Sequence, residues 1–222
     1  MGQKVSPISF RLGGLQTWRS KWLAKGKDYR VFLEEDVRMR DFILNKLKEA
    51  AIARIDIERS PNMINVVIIS ARPGIIIGRG GTGIDDLKRE LQKLTHNKPL
   101  KVSVEEVQNP ESNAALVART VAEAIEKRIP FRRVIKQALD RTRDNRGVKG
   151  VKIMVAGRLN GTTMSRREWV SWGEIPLHNL RADIDFVKDV ARTKYGIIGI
   201  KIWIYKGEVF EGEKPEEAKK KS

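Results

Sequence analysis

Residues 70–91 read SARPGIIIGRGGTGIDDLKREL. Two phosphate-binding patterns overlap in this stretch. Gly78, Gly80 and Gly83 satisfy G-x-G-x-x-G, the dinucleotide fingerprint, while Ile77, Gly78 and Gly81 satisfy I-G-x-x-G, a loop that clamps single-stranded nucleic acid. Both use the missing Cβ of glycine to bring backbone against phosphate, so the flanking elements must decide. A dinucleotide site needs a strand running straight into the first glycine, followed by a helix. The acidic ribose ligand it requires some way downstream has candidates in Glu105 and Glu106. The approach to the glycines does not fit, however. The strand pattern of MINVVIIS stops at Ser70, and Ala71-Arg72-Pro73-Gly74 interrupts it. Pro73 pre-sets the dihedral of a first helical turn, so residues 74–77 read as a short helix. That helix ends at Gly78, Gly78-Arg79-Gly80-Gly81 turns, and Thr82 opens a second helix, with Asp85 in capping-box spacing. This is the helix, loop and helix with which a KH module grips a single strand, using loop backbone, helix dipole and Arg79 against phosphate. A plain inter-helix turn would use the same residues. Ile75, Ile76 and Ile77 serve either as an apolar rest for bases or as core.

Upstream, residues 35–50 place Val37, Phe42, Ile43, Leu44 and Leu47 on one side of a helix. AIARIDIERS then alternates as a strand, Pro61-Asn62 turns, and MINVVIIS returns as the more buried arm of a hairpin. Downstream, Ile84, Leu87, Leu91 and Leu94 define an amphipathic helix, and LKVSVEEV a third strand. Gln108-Asn109-Pro110 marks a domain boundary. Beyond it Ser112 is placed to cap a helix carrying Val117, Val121, Ile125 and Ile129, which Pro130 ends. A further helix starts at Phe131, with Val134, Ile135, Ala138 and Leu139 toward a core and Arg132, Arg133, Lys136 and Arg143 opposite. VKIMV, RREWVSWGEI and IGIKIWIYKGE read as strands of an antiparallel sheet. In the last of these Ile200, Ile202 and Ile204 share one face and Lys201, Trp203 and Tyr205 the other. Residues 1–15 read as an extended arm, residues 15–24 as a short helix in which Trp18 and Trp22 pack, and residues 211–222 as a charged flexible tail.

The 222 residues carry 44 Lys and Arg against 28 Asp and Glu, a net charge of +16. Such an excess repels itself and calls for a polyanionic partner, either nucleic acid or an anionic membrane surface. Without cysteine there is no disulfide or thiolate metal site, and with His96 and His178 alone there is no paired-histidine ligand set. No metal, cofactor or catalytic residue is expected. The apolar runs at 66–69 and 75–77 are too short to span a bilayer, and the N-terminus lacks the apolar core of a secretion signal, which points to the cytoplasm. Gly2 and Ser6 match a loose myristoylation pattern that chance often satisfies.

GQKVSPISFRLG, ARPGIIIGRGG, FRRVIKQALDRTRDNRGVKGVKIMVAGRLNG, LRADIDF and YGIIGIKIWIYKGE, in that order, resemble small-subunit ribosomal protein three of the bacterial type, through about residue 210. The resemblance implies an α+β fold. A type II KH domain, helices on a three-stranded sheet, would span residues 16–107 with its core at about 38–106. An α/β domain of two helices on a four-stranded, antiparallel-rich sheet would span 108–210. It further implies a non-enzymatic constituent of the small-subunit head that binds ribosomal RNA and messenger RNA beside ribosomal proteins ten and fourteen, neither membrane-bound nor homo-oligomeric. In the family, basic residues on the second domain's helix contact the incoming message and help to open its secondary structure; they fall here on Arg132, Arg133 and Lys136. Read without the resemblance, that helix face is either a solvated charge run or a phosphate track. Gly78, Arg79, Gly80 and Gly81 form the expected RNA-binding loop, although many relatives carry two basic residues there and this chain has one. Lys4, Arg11, Arg143, Arg146, Arg158, Arg166 and Arg167 are further candidates for ribosomal RNA phosphates. The alternative is a free-standing KH regulator that acts off the ribosome, which cofractionation with small subunits distinguishes.

Overall fold

The computed structural model describes residues 4–95 and 98–210; the expected tail, Gly2 and His96 lie outside the described residues. In chain order the helices are α1 (Pro7–Phe10), α2 (Lys27–Lys46), α3 (Pro73–Ile77), α4 (Thr82–Leu94), α5 (Ala114–Glu126) and α6 (Phe131–Arg143). The strands are β1 (Ser20–Lys21), β2 (Ile52–Arg59), β3 (Ile64–Ser70), β4 (Leu100–Glu106), β5 (Gly150–Gly157), β6 (Arg166–Gly173), β7 (Ala182–Thr193) and β8 (Gly196–Glu208). They form two compact units. One is Trp18–Gln108, and the other joins the described residues through Thr17 to those from Asn109 onward.

In the first unit β2 and β3 pair antiparallel, Ile57 opposite Val66, and β4 runs parallel to β3, Val66 opposite Val102. The parallel step requires a crossover, which α3 and α4 provide. Met39 and Ile43 from α2, Ile76 from α3, and Leu87 and Leu91 from α4 close the core over Ile57, Val66 and Ile68. The sheet has a fourth member where a short helix was expected: Ser20 and Lys21 lie parallel to β2 at its edge. Trp22 packs as anticipated, 5.4 Å from Tyr29 and 5.6 Å from Phe32 between ring centroids, whereas Trp18 is exposed. Those aromatic partners also explain why α2 begins at Lys27, well before its apolar run.

A buried charge network holds this edge. Asp36, with no exposed surface, accepts hydrogen bonds from Ser20 Oγ at 2.9 Å and Trp22 Nε1 at 2.8 Å. Arg59 pairs with Asp36 at 2.6 Å and Glu35 at 2.5 Å, its guanidinium 4.8 Å from the Phe32 ring centroid.

The second unit is a four-stranded sheet in the order β6-β5-β8-β7, antiparallel throughout. Helices α5 and α6 cover one face, where Val121, Ile125, Val134 and Ile135 meet Ile153, Ile200, Ile202 and Ile204. On the other face Tyr205 is buried too, with Ile184 and Ala182 under Ile175 and Leu177. Strand β7 did not show in the apolar pattern because Asp183, Asp185 and Asp189 interleave it. Asp185 faces the helices and accepts the Ala114 N–H at 2.8 Å, so its charge sits at the start of α5, where a helix dipole favours it. The expected cap is displaced by one residue. Asn113 Oδ1, not Ser112, accepts from the N–H groups of Ala115 and Leu116, while Ser112 bonds back to Asn109. Helix α5 ends at Glu126, and Arg128 turns in the left-handed region (φ 63°), so the stop precedes Pro130.

The N-terminal segment is not an extended arm. α1 packs on β7, and Arg11, only 2% exposed, donates to the carbonyls of Ala182 (2.7 Å), Asn179 (2.8 Å), Pro7 (3.0 Å) and Leu177 (3.1 Å). Burial lowers its pKa and Asp183 partly opposes this. Arg11 therefore clamps backbone inside the second unit, where a phosphate cannot reach it, in place of the expected contact with RNA. Arg11→Ala should leave those carbonyls unsatisfied and cost about 1–3 kcal/mol. Hydrogen exchange should quicken around residues 4–17 and 177–182, with the first unit unchanged; uniform protection would contradict the clamp.

Candidate nucleic-acid interface

Helix α3 ends at Gly78 (φ 70°), and Arg79–Gly81 make one tight turn with Gly80 at φ 64° and Gly81 at φ 83°. These left-handed values penalise any residue with a Cβ. At Gly80 and Gly81 a Cβ would find no atom within 4 Å, so the loop's backbone is uncovered as well as turned. Gly83 has a different task. A Cβ there would lie 2.6 Å from the Ile76 carbonyl oxygen, so its absence lets α4 press against the last turn of α3. The third glycine of the dinucleotide-like pattern is thus a packing residue, and α3 separates β3 from the loop. The loop therefore joins two helices, as a KH loop does, and not a strand and a helix as a dinucleotide site requires.

Helix α4 is capped by Gly81, which has no side-chain acceptor, so the expected capping box does not form. Thr82 Oγ1 instead donates back to the Arg79 carbonyl at 3.0 Å. The first-turn N–H groups of α4 are thereby left without a capping side chain, the arrangement that suits an anion. Arg79 and Arg72 are exposed, and neither side chain has an ion-pair partner among the described residues. The two readings of the isoleucines divide: Ile76 is core, while Ile75 and Ile77 are 45% and 39% exposed beside the loop.

On α6, Phe131, Val134, Ile135, Leu139 and Thr142 are buried and anchor the helix. Arg132, Arg133 and Lys136 are exposed and line a shallow surface groove with Arg141, Asp140 and Asp144. Arg132 reaches Glu168 of β6 at 3.3 Å, a contact that raises its pKa further. Arg133 and Lys136 have no ion-pair partner among the described residues. Arg143 turns to its own helix end, 3.5 Å from Asp144 and 4.0 Å from Asp140. Arg158 is tied to backbone, donating to Thr162 O at 2.8 Å and Tyr195 O at 3.2 Å, and so holds a turn. Lys4, Arg146, Arg166 and Arg167 are exposed. Arg72 and Arg141 escaped the sequence reading because each joins its cluster through the fold and carries no motif of its own. Among the described residues no group of His, Asp and Glu is disposed to hold a metal ion, and no helix is long and apolar enough to cross a membrane.

A β-α-loop-α-β unit with an uncovered, cationic glycine loop defines an RNA-binding protein of the KH class. In agreement, residues 38–112 match the family described as KH domain, and residues 121–204 match Ribosomal protein S3, C-terminal domain. The small ribosomal subunit protein uS3 of Methylococcus capsulatus is 50% identical over 211 residues, covering 95% of this chain and 94% of that protein. That of Thermosynechococcus vestitus is 46% identical over 100% of this chain and 94% of its own length. The uS3c protein of Porphyra purpurea is 46% identical over 96% and 93%. The chain belongs to the uS3 family of small-subunit ribosomal proteins, which are structural RNA-binding proteins of the ribosome and not enzymes.

Proposed function

We propose that the chain sits as a single copy in the head of the small subunit, beside ribosomal proteins ten and fourteen. There it holds ribosomal RNA and guides messenger RNA at the entry of its channel. Family membership supports the ribosomal setting, and one observation carries the messenger role: Arg133 and Lys136 have no ion-pair partner among the described residues and stand on the solvent side of a helix whose other side is locked into the core. The anchored helix fixes where these cations are presented to phosphates. A strand drawn past them by the ribosome's own movement keeps its backbone neutralised while its base pairs part, so no nucleotide-hydrolysis site is required. The KH loop would hold RNA by its uncovered backbone and Arg79. With Gly80 after Arg79, the loop offers one side-chain cation to phosphate, and Gly80 offers backbone alone.

The test is the triple variant R132A/R133A/K136A. Small subunits should incorporate it normally, yet translate a message with a stable hairpin more slowly than an unstructured one by a wider margin than the wild type does. For the isolated chain on single-stranded RNA, the slope of log affinity against log salt should flatten by about 2, at roughly 0.7 per phosphate contact. Failure to enter subunits would assign these residues to ribosomal RNA instead.

A further inference from the structure

The second unit's sheet has another face, turned away from α5 and α6. Its positions follow from the register. One cross-strand row is Trp169, Met154, Lys201, Lys188; the next is Ser171, Lys152, Trp203, Phe186; the row on the other side is Arg167, Ala156, Gly199, Val190. None of these positions carries a carboxylate. The acids of the same strands point the other way, Glu168 to Arg132 of α6 and Asp185 to the start of α5. Ile175 and Leu177 pack against the end of this face near Ile184 and Tyr205, and Phe186 in its second row is buried. At the open end Trp169 is 57% exposed, and Arg167, Lys188 and Lys201 are exposed around it. Lys152 stands between two indoles, its Nζ 6.0 Å from the Trp169 centroid and 5.7 Å from that of Trp203. Trp203 is in turn held by Phe186, 5.1 Å away. None of the four cations has an ion-pair partner among the described residues.

We propose that this face is a further single-stranded RNA site, at which a base stacks on Trp169 while Lys152, Lys188, Lys201 and Arg167 meet the flanking phosphates. Aromatic platforms set in a cationic groove are how sheets bind single strands without reading sequence. Strands lie about 4.8 Å apart, so Lys201 and Lys188 stand roughly 10 and 14 Å from the Trp169 strand, within the span of a few nucleotides. A protein partner fits less well, because lysine is depleted at the centre of protein interfaces and burial here would strand four unpaired cations. A phosphate backbone neutralises them while staying wet. The proposal shares the RNA-binding character of the family but does not depend on the KH loop or on α6.

The experiment uses the full chain in an R79D/G80D background, with short oligo(A) RNA and inorganic polyphosphate as probes in anisotropy and competition titrations. Trp169→Ala should weaken oligo(A) binding about 5-fold to 150-fold, the loss of one stacked base, and Trp169→Phe should restore most of it. Polyphosphate has charge but no bases, so W169A should leave its affinity unchanged while K188E/K201E lowers it. Because Trp169 is exposed, the melting temperature should not move. Unchanged oligo(A) affinity in W169A, or equal losses for both probes, would overturn the proposal. So would a W169A chain that keeps its RNA affinity but no longer enters small subunits, which would give the face to a protein neighbour. Full oligo(A) affinity in R79D/G80D alone would count against the KH loop and not against this site.

Discussion

Asp36→Ala should unfold the first unit at temperatures where the second remains folded. Asp36 has no exposed surface and answers three donors: Arg59, the Ser20 hydroxyl and the Trp22 indole N–H. Removing it strands two neutral donors and leaves Arg59 buried with Glu35 as its remaining charged partner. Breaking a buried ion pair by deleting one member costs about 3–5 kcal/mol, and the surviving Glu35 contact argues for the lower end. For a unit of this size that is a fall in melting temperature of roughly 15–30 °C. Aspartate to asparagine should cost less, since the amide oxygen still accepts from Ser20 or Trp22 while the charge is lost. Calorimetry resolving the two units is the direct readout. A shift of only a few degrees would mean that water replaces the carboxylate, and that β1 and Trp22 are not held by this network.

The double replacement R79D/G80D should abolish the grip of the KH loop on single-stranded RNA without unfolding it. Gly80 sits at φ 64° and ψ 19°, a left-handed conformation that aspartate tolerates better than most residues, and a Cβ there meets nothing within 4 Å. Structurally the substitution is mild. Electrostatically it is not, because a cation becomes an anion and a second anion joins it where phosphates must approach. Like charges brought together at an interface cost several kcal/mol, a loss of about 100-fold or more in affinity. The melting curve should match wild type. If RNA affinity were also unchanged, the loop would be only a helix connection, and binding would reside on α6 and the outer sheet.

How much of this the sequence disclosed depends on the range of the interaction. Local periodicity announced α4 and α6, which each have one face buried and one exposed, and β8, where the alternation of Ile200, Ile202 and Ile204 is as read although Tyr205 on the other face is buried too. Strand β7 was hidden because its acids find partners only in three dimensions, as Asp185 does at the start of α5. The N-terminal segment read as free because its clamp is remote, Arg11 and Ala182 being 171 residues apart in the chain. Gly83 looked like part of a phosphate fingerprint, although the reason for it is the carbonyl of Ile76 in the preceding helix. The capping box failed for a related reason: with Gly81 as cap, Thr82 lies one position too far along α4 and bonds backward. The candidate site was legible where a motif carried it, at the glycine loop and the α6 face. Arg72, Arg141 and the platform around Trp169 came only with the fold.

Zero-length photocrosslinking of RNA to this chain in purified small subunits, with the adducted peptides mapped by mass spectrometry, bears most directly on the account. Adducts should concentrate on residues 72–83, on the exposed face of residues 131–143 and at Trp169. A chain that never accompanies small subunits, or one whose adducts avoid all three surfaces, would contradict it.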